Sequence, residues 1–401
     1  MATPLHMTPE MKASLDAGFS AAFGGQPQRY FSAPGRTEIG GNHTDHQRGR
    51  VLAAAEDLDT VAAVRPNGSD EIRIQSQGYP LCVVNIRELT PVKSEINSTL
   101  ALIRGVAARF AQLGCKVEGF DAYCQSTVLP GSGLSSSAAF EVLVGTIINE
   151  LFFEKKLSAI EIAQIGQYAE NVYFGKPCGL MDQMASSVGG MVYIDFADPE
   201  NPIVEKIDFD FQKEGYDLCI IDSGADHADL TDEYAAITRE LKELCGFFGK
   251  DYLRQIPETE FMAALPKLRE TVSDRAILRA MHVYRENERV AAQSDALKNN
   301  DIDSFLRLVT ESGHSSWMYM QNISPAGAVQ KQPVAFALAL CDSLLRGKGA
   351  YRVHGGGFAG TVQAFVPHHM LDGFKEAVEA GLGKGSCHVL NVRPYGGICK
   401  Q

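Results

Sequence analysis

Leu129-Pro130-Gly131-Ser132-Gly133-Leu134-Ser135-Ser136-Ser137-Ala138-Ala139-Phe140-Glu141 is the stretch on which the reading of this chain turns. A short polar strand runs into glycines, three serines follow, and an apolar helical run begins at Ala138. Gly131 and Gly133 permit backbone angles closed to other residues, so several N–H groups can converge on one anion. A helix starting here adds unsatisfied N–H donors and the positive end of its dipole. Serine hydroxyls supply more donors, and one of them could ligate a metal. The same pattern also describes a glycine-rich turn with a serine N-cap. It is not a Walker loop, because no Gly-Lys-Ser/Thr follows, and the third glycine of a dinucleotide fingerprint is missing. Alone, the loop implies an anion site of nucleotide type and names no reaction.

Working outward, Gly119–Ser126 reads as the strand before the loop and Ser136 to Phe153 as the helix after it. Ser158 and Glu161 form a capping box for a helix running to about Phe174. Upstream, Thr60–Val64, Ile72–Ser76 and Leu81–Ile86 look like strands, and residues 98–113 have helical periodicity that stops at Gly114. Asp198-Pro199-Glu200-Asn201-Pro202 is the best boundary, since two prolines interrupt helix and strand pairing alike. It divides the chain into 1–200 and 201–401. Past it, Leu218–Ile221 reads as a buried strand and residues 233–310 as charged helices. Ala350–His354 is a strand entering a second glycine cluster, followed by a strand at Thr361–Val366. The expected class is α+β in two halves, with a binding crevice between them.

With 401 residues, 45% of them hydrophobic, the chain can bury a large core. A net charge of −12 disfavours non-specific binding to nucleic acid or to membrane surfaces. The nine cysteines are scattered and never spaced Cys-x-x-Cys, which points to reduced thiols and a cytoplasmic location. Thr8-Pro9-Glu10 reads as the start of an amphipathic helix rather than a targeting segment. No apolar run approaches membrane-spanning length.

Three further segments concentrate polar residues and glycines: Ala33–Arg50, Ala169–Met184 and His354–Thr361. His43-Thr44-Asp45-His46 lacks a third ligand at metal-site spacing. Its small polar groups, with Arg36 nearby in what reads as a loop, better suit a polyhydroxylated ligand. Asp182 follows a Gly-Lys-Pro-Cys-Gly loop at the start of a helix. It either stabilises that N-terminus or accepts a proton from a nucleophilic hydroxyl. Glu170 is either a surface carboxylate or a magnesium ligand.

Taken in order, these segments resemble the GHMP small-molecule kinases and, within them, the galactokinase branch. Gly35-Arg36, Gly41 and His43-Thr44-Asp45 match the signature Gly-Arg-Val-Asn-Leu-Ile-Gly-Glu-His-Thr-Asp-Tyr. Residues 130–139 match Pro-x-Gly-x-Gly-Leu-Ser-Ser-Ser-Ala. His354–Gly360 resembles Gly-Gly-Gly-Phe-Gly-Gly, with Ala359 in place of a glycine. The resemblance implies a two-domain fold, S5-like then ferredoxin-like, and an ATP- and Mg²⁺-dependent kinase acting on a sugar's anomeric hydroxyl. It implies Asp182 and Arg36 as the catalytic pair, and Asn42, His43, Asp45, Gly179 and Tyr234 as sugar contacts. Gly131, Gly133, Leu134, Ser135, Ser136 and Ser137 would hold the nucleotide, and Ser137 and Glu170 the Mg²⁺. The partners implied are a small-molecule sugar and a nucleotide, with a monomer expected. A non-catalytic sugar sensor is the rival, and intact Ser135–Ala139, Arg36 and Asp182 argue against it.

Three departures stand out. Asn42 replaces a glutamate that reaches the hydroxymethyl end of galactose, exchanging a charge-assisted bond worth ~1.5–3 kcal/mol for a neutral one worth ~1 kcal/mol. Together with the extra cations Arg48 and Arg50, this raises a C6-altered sugar such as galacturonate as an alternative substrate. Thr37-Glu38 replaces Val-Asn behind Arg36. Thr99–Leu102 stands where the family has Trp-x-x-Tyr, so the aromatic adenine contacts are missing.

Overall fold

The computed structural model of the chain describes residues 7–128, 133–176, 178–225 and 230–400. The first helix, α1 (Pro9–Phe23), starts where its cap residues dictate, with Thr8 Oγ1 accepting the Met11 N–H at 3.2 Å. There follow β1 (Arg29–Gly40), β2 (Arg50–Pro66), β3 (Glu71–Ser76), β4 (Cys82–Asn85), α2 (Thr99–Gln112), β5 (Phe120–Ser126) and α3 (Ser136–Phe152). Then come α4 (Ala159–Tyr168), α5 (Met181–Val188), β6 (Met191–Asp195) and β7 (Ile203–Ile207). The Ser158–Glu161 capping box opens α4 as its sequence demands, and α4 passes into a wider helical turn at Ala169–Phe174. The sheet buries one face under α2, α3 and α4, where Phe31, Ile103, Phe110, Phe120 and Ile147 are fully buried.

The second half holds β8 (Tyr216–Asp222), α6 (Thr231–Phe247), α7 (Glu258–Thr271), α8 (Asp274–Lys298), α9 (Ile302–Ser315) and α10 (Pro333–Leu345). It continues with β9 (Ala350–His354), β10 (Thr361–Pro367), α11 (Leu371–Leu382), β11 (Cys387–Leu390) and β12 (Ile398–Lys400). Its sheet runs β11-β8-β10-β9, all antiparallel, and α10 and α11 pack on it. Phe209, Phe211, Phe305 and Phe365 stack where this half meets the first.

The sheets do not divide at residue 200. Asp198–Pro202 lies in the turn between β6 and β7, which pair with each other. β12 returns from near the C-terminus to pair with β1, so the first sheet runs β12-β1-β2-β5-β3-β4, with β6 paired to β2 and β7 to β6. The prolines thus mark a hairpin, a local event that a composition shift imitates.

Arg36 stands on a strand, not in the loop its polar surroundings imply. The β1–β2 register shifts between Pro34 and Arg36 and again between Glu38 and Gly40. Pro34 has no N–H for the ladder, and such bulges re-aim side chains. Thr37, Glu38 and Asn42 read as loop because partners of each come from the second half of the chain, whereas those of Arg36 are Gly133, Leu134 and Asp182. Among the described residues no helix is long and apolar enough to cross a membrane, and every cysteine is a free thiol.

Candidate active site

Asp182 lies in the first turn of α5, and Arg36 reaches it from the β1 bulge. Arg36 Nε donates to Asp182 Oδ1 at 2.7 Å and Nη2 to Oδ2 at 2.6 Å, a fork-on-fork pair. Ser135 Oγ also donates to Oδ2, at 2.6 Å, and Arg36 Nη1 donates to the Gly133 carbonyl. Arg36's side chain is 9% exposed and that of Asp182 32%, so the pair presents its carboxylate to an open side. Burial alone would raise the Asp182 pKa, but Arg36 and the Ser135 hydroxyl outweigh it and hold the carboxyl below its ordinary value. It stays ionised at neutral pH.

Gly133 and Ser135 both adopt left-handed backbone angles (φ 75° and 58°), and no side chain caps α3. The first N–H groups of that helix, at Ser136 and Ser137, therefore have no side-chain cap and suit an anion. Leu134 contributes backbone only, since its side chain is fully buried and its carbonyl takes the Arg36 N–H at 3.0 Å. The Ser135 hydroxyl is the one that donates to Asp182. Gly131 lies outside the described residues.

Asp45 abuts the turn before α5. A β-carbon on Gly179 would lie 1.9 Å from Asp45 Oδ2, so only glycine fits there. Burial, and then the Asp182 charge, push the Asp45 pKa up to about 6. Two nearby carboxyls thus have well-separated affinities for a proton. His43 donates from Nε2 to the Gly356 carbonyl at 2.9 Å, and its Nδ1 faces His46 Nε2 at 3.4 Å. Burial brings the two imidazoles down to about 3 and about 4, so both are neutral. Tyr234, in the first turn of α6, donates to the Gly357 carbonyl at 2.7 Å, and its ring meets Phe358 edge-on at 5.5 Å.

Asn42 departs from expectation. It is 1% exposed, and protein groups fill its amide. Nδ2 donates to the Gly355 carbonyl at 2.6 Å and to Glu38 Oε1 at 3.2 Å. Oδ1 accepts from Asn322 Nδ2 at 2.9 Å and from Ser316 Oγ at 3.3 Å. Two donors and two acceptor positions are the whole capacity of an amide, so none remains for a sugar. The extra cations are engaged as well: Arg50 pairs with Asp195 at 3.0 Å, and Arg48 lies over the Tyr252 ring at 4.2 Å.

Glu170 is 4% exposed, with Lys176 3.5 Å from Oε1. One Gln183 amide nitrogen donates to Glu170 Oε2 at 2.8 Å and to Glu141 Oε2 at 2.9 Å. Burial, then the Glu170 charge, raise the Glu141 pKa well above the ordinary value, and Glu141 Oε1 is buried without a partner. Glu170 thus offers hard carboxylate oxygens of the kind that Mg²⁺ takes, and no group of three or more His, Cys, Asp or Glu gathers around a metal position among the described residues.

Sequence reading passed over four residues that build this site. Glu286 on α8 accepts the Gly41 and Asn42 N–H groups at 3.1 and 3.4 Å. His282, one turn earlier, holds the Asn42 carbonyl at 3.0 Å. Their i, i+4 spacing was the available signal. Glu141 was visible as a charge inside an apolar helix, and Gln183 gave no signal beyond its position after Asp182.

The chain is similar to known proteins over most of its length. Residues 101–190 match the GHMP kinases N-terminal domain, and residues 17–66 match the galactokinase galactose-binding signature. A galactokinase of Streptomyces coelicolor is 30% identical over 94% of this chain and 96% of its own length. The structure of Lactococcus lactis galactokinase, solved with galactose, superposes with a TM-score of 0.80 at 24% identity, covering 96% of this chain and 99% of that one. Methanococcus jannaschii mevalonate kinase shares the fold more distantly, with a TM-score of 0.63 at 15% identity over 92% of this chain and 99% of its own.

Proposed function

The chain belongs to the galactokinase family of GHMP kinases, and on that premise we propose that it phosphorylates the anomeric hydroxyl of galactose with ATP, giving galactose 1-phosphate and ADP. One observation carries the reading: the Arg36–Asp182 fork is tied directly to the serine loop through Ser135 and Gly133. An ionised carboxylate and a fixed cation beside a helix start suited to an anion support the reading.

The anomeric hydroxyl meets Asp182 on its open side. Phosphoryl transfer passes through a loose transition state, so the attacking oxygen keeps its proton until late and a weak base suffices. Asp182 orients that oxygen and takes the proton as the bond to phosphorus forms. Arg36, already charged and immobilised, stabilises the negative charge of the transferring group without reorganising. Ionised Asp45, beside Gly179, accepts sugar hydroxyls. The N–H groups at the start of α3 hold the polyphosphate. Ser137 and Glu170 would hold Mg²⁺, which supplies charge neutralisation of the phosphate oxygens. The protein is read as a cytoplasmic monomer.

Arg48 and Arg50, the cations that raised galacturonate as an alternative, are engaged with the Tyr252 ring and Asp195 respectively, which favours galactose. A sugar panel with Mg-ATP, followed by phosphorus NMR, tests the assignment. Galactose should yield an anomeric phosphate at the highest rate in the panel. Absence of that product would remove the reading.

A further inference from the structure

His354 connects three segments that the chemistry requires together. It ends β9 at the edge of the second glycine cluster and is 2% exposed. Its Nε2 accepts the Glu38 backbone N–H at 3.2 Å, with Thr37 Oγ1 at 3.1 Å from the same nitrogen. An N–H donor at Nε2 means that this nitrogen carries no proton. Burial, and the charges of Arg36 and Arg352, keep the ring neutral, so Nδ1 bears the hydrogen and donates to Thr361 Oγ1 at 2.8 Å. The ring also lies against the serine loop: a β-carbon on Gly133 would stand 3.3 Å from His354 Nδ1 and 3.5 Å from its Cε1. The carbonyl of that same Gly133 receives Arg36 Nη1.

We propose that His354 is a positioning residue for phosphoryl transfer, fixing Gly133 of the serine loop against the strand that carries Arg36. The argument is geometric. Arg36 is held at its guanidinium by Asp182 and Gly133, and at its backbone N–H by the Leu134 carbonyl at 3.0 Å. Two residues further along β1, the strand is pinned to the β9–β10 hairpin by the imidazole. One rigid ring thus sets the spacing of loop and strand from the opposite half of the molecule. Gln363 supports it, donating to Thr37 Oγ1 at 3.1 Å and to the Glu38 carbonyl at 2.9 Å. The Thr37-Glu38 pair, which departs from the family pattern behind Arg36, therefore works with an imidazole placed to receive it. Small displacements of a catalytic pair cost large factors in rate, and supporting groups act through that route.

The inference rests on the kinase reading only for its kinetic readout. His354→Ala should lower kcat tenfold or more while the galactose KM stays within threefold. It should also weaken Mg-ADP binding, measured by calorimetry, about fivefold. His354→Gln can place an acceptor oxygen where Nε2 stands and should recover most of both losses. His354→Asn is too short to reach the Glu38 N–H and should not. If His354→Ala keeps kcat and Mg-ADP affinity within twofold of the parent, the proposal is overturned. Equal losses in His354→Gln and His354→Asn, with melting temperatures unchanged, overturn it as well. Should the His354 variants fail to fold, Thr361→Val removes the Nδ1 partner. A folded Thr361→Val protein with parental kcat and affinity would count against the role. A parent without galactose turnover would instead reject the kinase reading, and the calorimetry would still decide for or against His354.

Discussion

Arg36 and Asp182 meet through two parallel hydrogen bonds of 2.7 and 2.6 Å, from residues 146 positions apart in the chain. Asp182→Asn keeps the shape of the carboxylate and removes its charge and its basicity. Turnover should fall by about 10²–10⁴, the usual span for a positioned acid or base. Mg-ADP should bind nearly as before, because the backbone N–H groups proposed to hold phosphate are unchanged and the asparagine Oδ1 can still accept from Ser135. Arg36→Lys cannot reproduce a planar fork and should cost on the order of tenfold or more in kcat. Steady-state kinetics with calorimetry on both variants check this. Near-parental turnover of Asp182→Asn would reassign the catalytic role.

Gly179 admits Asp45 by having no side chain. Gly179→Ala drives a methyl group to 1.9 Å from Asp45 Oδ2, so the carboxylate or the turn before α5 must move. Asp182 lies three residues on, in the turn that would shift. The galactose KM should rise at least tenfold and kcat should fall with it, read from initial rates. An alanine variant with parental KM would separate Asp45 from sugar binding.

Asp45 should impose an acid limb on activity. Its pKa of about 6 in the folded chain means that below this pH the carboxylate accepts a proton and loses capacity to take sugar hydroxyls. The kcat/KM for galactose, which reports the free enzyme, should therefore fall as pH drops through about 6. Stability carries the opposite sign. The unfolded chain gives up this proton near 3.8, so ionisation in the folded state costs stability as pH rises from 3.8 through about 6. Asp45→Asn should flatten the acid limb, raise the sugar KM and increase the melting temperature at pH 7. A pH–rate profile with thermal melts of both proteins tests all three.

The serine loop and the second glycine cluster were legible because each is a local pattern, whereas Arg36 and Asp182, 146 positions apart, were brought together only by the resemblance to the kinase family. Glycine spacing, helix starts and caps are determined within a few residues, and the strands and helices around them followed the same rules. Asn42 was not legible. Three of its four side-chain partners, Ser316, Asn322 and Gly355, stand 274 to 313 positions away, so most of its engagement could not be read from its neighbours. Glu38 shows the same thing: in the sequence it stands only as a departure behind Arg36, but it forms a buried pair with Arg352 from β9. Hydrogen-bond satisfaction is a property of the whole fold, whereas backbone geometry is largely local. This also explains why the β1 bulge read as loop, since the groups that justify burying its polar residues are distant in the chain: Asp182 for Arg36, His354 for Thr37 and Arg352 for Glu38.

Glu286 ties that distant half to the sugar loop, and its acid dependence can be stated with a sign. Burial works against its charge, but Arg289, His282 and Arg352, with the Ser312 hydroxyl, bring its pKa down from 4.5 to about 2. A carboxyl depressed on folding adds stability that is fully present above its unfolded value. That stability is lost as pH falls from 4.5 through about 2. A shift of this size corresponds to roughly 3 kcal/mol. Glu286→Gln should therefore lower stability at pH 7 and unfold with a shallower dependence on pH between 5 and 2. It also weakens the hold on the Gly41 and Asn42 N–H groups, so the galactose KM should rise more than kcat falls. Denaturant melts across that pH range, with kinetics at pH 7, provide the check. A parallel acid limb in parent and variant would remove Glu286 as its source.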